Sequence, residues 1–242
     1  MCSIVVFRDI WTDSALLICA NRDESYDRPS QGLRTRQRGD RTLTSPLDQQ
    51  AGGTWIGTNE LGLFVGLTNR FSGPPDPKRR SRGELVERTL MCHDADSAIS
   101  SAFATPPSHY NPCHLVVATT EDIRVLVNTG DSWREMETDS HQAIVTERSF
   151  EAGHTTRDGR IKKAIQPWLD AAKAPTNRNI QDVMSIHATP TFEGICVHWD
   201  ERRYGTRSLT IIRHPSGDVL RHFSTEGAPC STPLRVFDGA IE

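Results

Sequence analysis

The chain has 242 residues, a formal net charge of −3 and 24% charged residues, long enough for a real core in one or two domains. Its hydrophobic share of 36% is low for a globular chain but well above that of a disordered one. A near-neutral balance excludes a general nucleic-acid binder, which carries a basic stripe.

Two β-rich runs open the chain, Ser3 to Phe7 and Ala15 to Ala20, joined through a turn containing Asp13 and Ser14. Ile4 to Phe7 is the only apolar run before Arg8-Asp9. It is too short for a secretory signal, and no stretch approaches the ~20 apolar residues of a membrane span. A soluble, cytoplasmic protein is expected, with organelle association compatible and no integral membrane segment. The polar run Asn21-Arg22-Asp23-Glu24 and a loop around Pro29 and Gly32 come next, then a hairpin over 52–57 and 62–68, turned at Thr58-Asn59-Glu60.

Lys78-Arg79-Arg80 and Arg82 follow Pro74-Pro75-Asp76-Pro77 and read as a solvated loop rather than a phosphate site. Ser81 to Met91 begins with Ser81 and Glu84 at capping-box spacing and predicts a helix; Asp94 to Phe103 predicts a second. Strands are expected at 114–119, 123–129 and 143–146. Ile161, Ala164, Ile165, Trp168, Leu169 and Ala172 mark a helix over 159–172, with Pro167 set to kink or end it. A weaker helix over 179–187 and strands at 194–199, 208–214 and 219–223 close the chain. Strands, helices, strands, helices and strands in that order, with paired strands, suggest antiparallel sheets covered by helix layers in one α/β domain over residues 1–242.

Cys2, Cys19, Cys92, Cys113, Cys196 and Cys230 are scattered and contain no CxxC pair, so they read as reduced thiols rather than a disulfide framework. Cys19 and Cys196 lie in apolar runs and are expected to be buried and inert. Cys2 stands directly after Met1. Removal of Met1 would give Cys2 both a thiol and a free α-amine, a nucleophile carrying its own base. The strand after Cys2 ends in Asn21 to Glu24, which a hairpin brings near Cys2. There Asp23 would hold the amine, and Arg22 would lower the thiol pKa as a nearby cation.

Met1-Cys2, Asn21 to Glu24 with Arg28-Pro29, Gly52-Gly53-Thr54-Trp55, Thr68-Asn69-Arg70, Ser81-Arg82-Gly83-Glu84 and Tyr204-Gly205-Thr206-Arg207-Ser208 together resemble the Asn-Arg-Asp-Glu family, which includes the transport and Golgi organisation proteins. That family is similar to cysteine N-terminal-nucleophile hydrolases such as choloylglycine hydrolase and penicillin V acylase. The resemblance implies a four-layer α/β/β/α sandwich with mainly antiparallel sheets. It also implies Cys2 as nucleophile, Asp23 as partner of the amine, Asn69 as oxyanion donor and Arg207 as an electrostatic partner. One position departs from the pattern. The segment Ile144-Val145-Thr146-Glu147 puts Glu147 where the hydrolases keep a second asparagine, and a carboxylate there would repel an oxyanion.

Two functions follow as expectations. One is hydrolysis of an amide or thioester of a small acyl compound, which needs no cofactor. The other is a non-catalytic carrier of haem or a lipid-like ligand, with Cys2 or a histidine as axial ligand and eukaryotic relatives connected with haem handling. A scaffold with neither property is the plain alternative. No histidine pair shows metal spacing such as HxxxH, His198 reads as an ordinary strand histidine, and no metal site is expected.

Overall fold

The computed structural model describes residues 2–152 and 156–239; Met1, whose removal is expected above, lies outside the described residues. Three hairpins begin the chain: β1 (Cys2–Trp11) with β2 (Ser14–Ser25), β3 (Ser30–Arg38) with β4 (Arg41–Asp48), and β5 (Ile56–Asn59) with β6 (Phe64–Asn69). Helices α1 (Arg82–Leu90) and α2 (Ala95–Phe103) precede β7 (Cys113–Ala118), β8 (Ile123–Asn128), β9 (Trp133–Met136) and β10 (Gln142–Thr146). Helices α3 (Arg157–Leu169) and α4 (Asn177–Met184) lead to β11 (His198–Trp199), β12 (Tyr204–His214), β13 (Arg221–Ser224) and β14 (Arg235–Phe237).

The strands make two seven-stranded sheets. The first runs β10-β1-β2-β12-β13-β14 with β11 paired to β12, and the second runs β3 to β9 in chain order. Every strand pair is antiparallel.

Period-two alternation builds the layers. Ile4, Val6 and Ile18 point between the sheets and meet Phe64, Val116 and Val125. Their neighbours Val5, Phe7 and Leu17 point outward onto Ile161, Ile165, Trp168 and Ile180 of α3 and α4. On the far side Val65, Leu67, Leu115 and Val117 pack on Leu85, Val86, Leu90 and Ile99 of α1 and α2. The result is the expected α/β/β/α order. Burial on both faces explains why β1, β2 and β7 read as unbroken apolar runs.

Several elements differ from expectation. β1 continues past Arg8-Asp9 to Trp11, because the register shifts between Arg8 and Trp11 and Asp9 takes a positive φ of 51°. Asn21 to Glu24 does end β2, as expected, and the strand runs one residue further to Ser25. The β3–β4 hairpin lies where only a loop was expected. Its arginines and threonines hide the alternation, and Arg36, for one, is held by Ser45 Oγ at 2.8 Å. β9 and β14 are short and were not anticipated, while β11 keeps two residues of the strand expected over 194–199.

The reciprocal cap foreseen at α1 is half made. Ser81 Oγ accepts from Gly83 N at 3.2 Å, but Glu84 pairs with Arg80 instead of turning back. Full capping boxes occur at α2, between Asp94 and Ser97, and at α4, between Thr176 and Asn179. Pro167 falls in the last turn of α3, which runs on to Leu169.

Candidate active site

The hairpin register sets Cys2 opposite Arg22, and β12 on the other edge of β2 sets Thr206 opposite Asp23. Alternation then divides the four polar residues of β2. Asn21 turns towards the helices, where its Nδ2 donates to the carbonyls of Met184 at 2.8 Å and Ile195 at 2.9 Å. Asp23 is buried and accepts from Arg157 Nη1 at 3.0 Å and Thr206 Oγ1 at 2.6 Å. Its backbone carbonyl accepts from Tyr204 OH at 2.8 Å and lies 4.0 Å from Cys2 Sγ. Arg22 turns to the opposite side, with its guanidinium 4.1 Å from the Trp55 ring centroid. Glu24 pairs with Arg28 at 3.8 Å and Arg22 at 4.0 Å.

Arg157 is fully buried and also reaches Glu147 Oε2 at 3.5 Å. Burial by itself would lower its guanidinium, but Asp23 and Glu147 outweigh that and raise it, so the cation stays charged between two carboxylates.

Cys2 opens into a cleft of about 360 Å³ whose lining includes Arg22, Asp23, Trp55 and Asn69. Two glycine-bearing motifs meet at its wall. A Cβ on Gly53 would lie 2.5 Å from the carbonyl carbon of Gly83. The Gly52-Gly53-Thr54-Trp55 and Ser81-Arg82-Gly83-Glu84 segments can therefore touch only through bare backbone. Asn69 ends β6, and among the described residues no hydrogen bond engages its side-chain amide.

The cleft thus brings together Cys2, Arg22, Asp23 and Asn69 of the expected site residues. It leaves out Arg207. The β12 register shifts between Thr206 and Ser208, and this turns Arg207 away so that Nη1 donates to Tyr26 O at 2.6 Å. Glu147 is also absent from the lining, and its charge is matched by Arg157. The basic segment is the exposed loop leading into α1 that was expected, and Arg79, Arg80 and Arg82 also line this cleft.

Burial pushes the Cys2 thiol up, with the nearby Asp23 charge acting the same way, and outweighs Arg22, which acts in the expected downward direction. Burial is also the main reason that Arg22 and Arg82 lie below the ordinary arginine value, with Cys2 among the groups acting against it in both.

The family described as Transport and Golgi organisation 2 matches residues 1–219. The chain belongs to this family. Curated relatives include the Transport and Golgi organization 2 homolog of Mus musculus and the Transport and Golgi organization protein 2 homolog of Homo sapiens. Each is 36% identical over 107 residues, a match covering 43% of this chain and 38% of the relative's own length.

Among solved structures, penicillin V acylase from Agrobacterium tumefaciens aligns with TM-score 0.60 and 13% identity, covering 98% of this chain and 86% of its own. A mutant of the conjugated bile acid hydrolase of Clostridium perfringens gives TM-score 0.61 at 8% identity, covering 100% and 98%. At such identities the likeness is one of fold, and it gives this family member the N-terminal-nucleophile hydrolase fold. No described helix is long and apolar enough to cross a membrane.

Arg157, Tyr204 and Arg82 were missed as parts of the site. Arg157 carried one readable signal: a cation in the first turn of a helix, where the dipole favours acids. Such a residue needs a tertiary reason, and Asp23 with Glu147 supplies it. Tyr204 stood within a recognised motif without an assigned role. Arg82 likewise stood within a recognised motif, Ser81-Arg82-Gly83-Glu84, without an assigned role, and its charge by itself suggests solvent.

Proposed function

We propose that this protein is a cysteine N-terminal-nucleophile hydrolase cleaving an amide or thioester bond in a small, anionic acyl compound. The observation that carries the proposal is the position of Cys2 at the cleft beside Arg22 and Arg82, with the uncommitted amide of Asn69 lining the same space. The raised thiol needs a base, and a chain starting at Cys2 provides one in its own α-amine. The thiol proton passes to that amine as Sγ bonds to the acyl carbon. The carbonyl oxygen takes the negative charge and accepts from Asn69 Nδ2. The carbon–nitrogen or carbon–sulfur bond then breaks, the ammonium returns the proton to the leaving group, and water hydrolyses the acyl-Cys2 thioester to release the acid and restore the thiol.

The charge matching of Glu147 by Arg157 supports hydrolysis, since the carboxylate that would oppose an oxyanion is occupied elsewhere. Arginines donate and never accept, so Arg22 and Arg82 favour a carboxylate or phosphate group on the substrate. The haem-carrier alternative has less support. No histidine lines the cleft among the described residues, which leaves Cys2 as the axial ligand there.

Intact mass of the purified protein should show a chain beginning at Cys2. Wild type should turn over carboxylated acyl-amide or acyl-thioester probes, and Cys2→Ser should remove that turnover. Retained Met1, or a flat response across the probes together with saturable haem binding and a Soret band moved by Cys2→Ser, would replace the hydrolase with the carrier.

A further inference from the structure

Away from the cleft, four residues distant in sequence converge. His187 lies beyond the end of α4, Cys196 lies two residues before β11, His198 opens β11, and Cys230 lies in the turn after β13. Each offers one ligand atom, and all four atoms lie within 4.8 Å of one another. The sulfurs of Cys196 and Cys230 are 3.8 Å apart, while His198 Nε2 is 3.4 Å from the first and 3.2 Å from the second. The ring centroids of His187 and His198 are 5.0 Å apart, edge to face.

A tetrahedral zinc ion with bonds of about 2.3 Å to sulfur and about 2.0–2.1 Å to nitrogen sets edges of about 3.8 Å between sulfurs and about 3.5 Å between sulfur and nitrogen. The observed separations fall close to these edges. Hydrogen bonding of thiols to one histidine does not account for the second histidine closing the fourth corner.

We propose that His187, Cys196, His198 and Cys230 form a structural zinc site. Two thiolates and two neutral imidazoles suit zinc by softness and geometry. Four protein ligands leave no open position, so the site binds the ion without presenting it to a substrate. On binding, Cys196 and Cys230 each release a proton to solvent, and the complex of Zn²⁺ with two thiolates is neutral.

The four ligands come from segments with little regular structure of their own. The ion therefore ties the turn after β13 to the segment linking α4 with β11. The strap is braced from behind. Thr191 Oγ1 donates to His198 O at 2.7 Å, and Gln181 Nε2 donates to the carbonyls of Pro229 at 2.8 Å and Thr232 at 2.9 Å.

The test uses the full chain, purified without a metal-affinity column and kept reduced. Elemental analysis should find about one zinc per chain, as a closed four-ligand site requires. Cobalt exchange should give thiolate-to-cobalt charge transfer and the intense visible bands of tetrahedral cobalt. Cys230→Ser changes an exposed residue, so the fold should persist while the charge-transfer intensity falls by about half, one of two thiolates being lost. His187→Ala should lower zinc retention, and Cys92→Ser should leave both readouts unchanged.

The proposal is overturned if reduced apoprotein takes up no zinc, or if Cys230→Ser keeps the wild-type zinc content and cobalt spectrum. It is equally overturned if the protein made in cells carries a Cys196–Cys230 disulfide, seen as an intact mass lower by two hydrogens.

Discussion

Cys2 and Cys196 are two thiols joined through the same aspartate, yet their surroundings suit opposite guests. Cys2 Sγ lies by the Asp23 carbonyl, while Val197, next to Cys196, donates its N–H to Thr206 Oγ1 at 2.8 Å, and that hydroxyl donates to the Asp23 carboxylate. Around Cys2 stand Arg22 and Arg82, which offer protons and no lone pairs, with the carboxylates of Asp23 and Glu24 lining the same cleft. Around Cys196 stand a second thiol and two imidazoles, which offer lone pairs. The proposed guests differ accordingly, an acyl anion at one setting and a divalent cation at the other. The identity of a cysteine says little about its chemistry; its charged and lone-pair neighbours decide it.

The largest expected effect falls on the shared middle. Arg157→Met leaves Asp23 and Glu147 buried without their common counter-charge, and removing one partner from a buried ion pair costs roughly 3–5 kcal/mol. Urea unfolding should show that loss, with part of it returned by Glu147→Gln in the same chain. If zinc content also collapses at folded concentrations, the two regions are one cooperative unit and the contrast between them is only local.

Asn69→Ala comes next and is confined to the cleft. Loss of an oxyanion donor should lower turnover of acyl probes by ~10²–10³ while unfolding and metal content stay as in wild type. A proportional loss in both would mean that Asn69 supports the fold rather than the reaction.

The third effect concerns histidines. His114 is held at about 4 by burial, with Thr68 Oγ1 on Nδ1 at 2.9 Å and Ser149 O on Nε2 at 3.1 Å. The unfolded chain takes up this proton near pH 6.5 and the folded chain resists until about 4. Protons therefore favour the unfolded state across that window, and stability falls as the pH drops from 6.5 towards 4, by roughly 2–3 kcal/mol at the acid end. Equilibrium unfolding across this range should show the slope, and His114→Gln should flatten it. An unchanged slope would assign acid sensitivity to other groups, such as His222, which burial also holds at about 4.

The core was legible wherever apolar residues alternate or recur with helical spacing, as in β1, β2, β6, β7 and α3. It was illegible in β3 and β4, where arginines and threonines fill an edge hairpin and their partners lie across the sheet. At the site, Cys2, Arg22 and Asp23 were argued from the hairpin and Asn69 from motif resemblance, and the four share a cleft. Arg207 was misplaced because a one-residue register shift in β12 is invisible in a motif. The basic run at 78–82 is the exposed loop its charge suggested, and only the tertiary structure sets Arg79, Arg80 and Arg82 along the cleft.

By itself, the sequence pattern determined antiparallel sheets covered by helices, since runs apolar on both strand faces must be covered on both sides, and the four-layer order followed from the family resemblance. It also marked Cys2 as the candidate nucleophile, through its place next to Met1 together with the motif resemblance. Tertiary structure decided which charges meet. Asp23 and Arg157 are paired although far apart in the chain. The four ligands from 187 to 230 assemble only because β11, β12 and the turn after β13 fold over one another. Electrostatic and coordination energies depend on separations of a few ångströms, and separations of that kind are fixed by packing rather than by order along the chain.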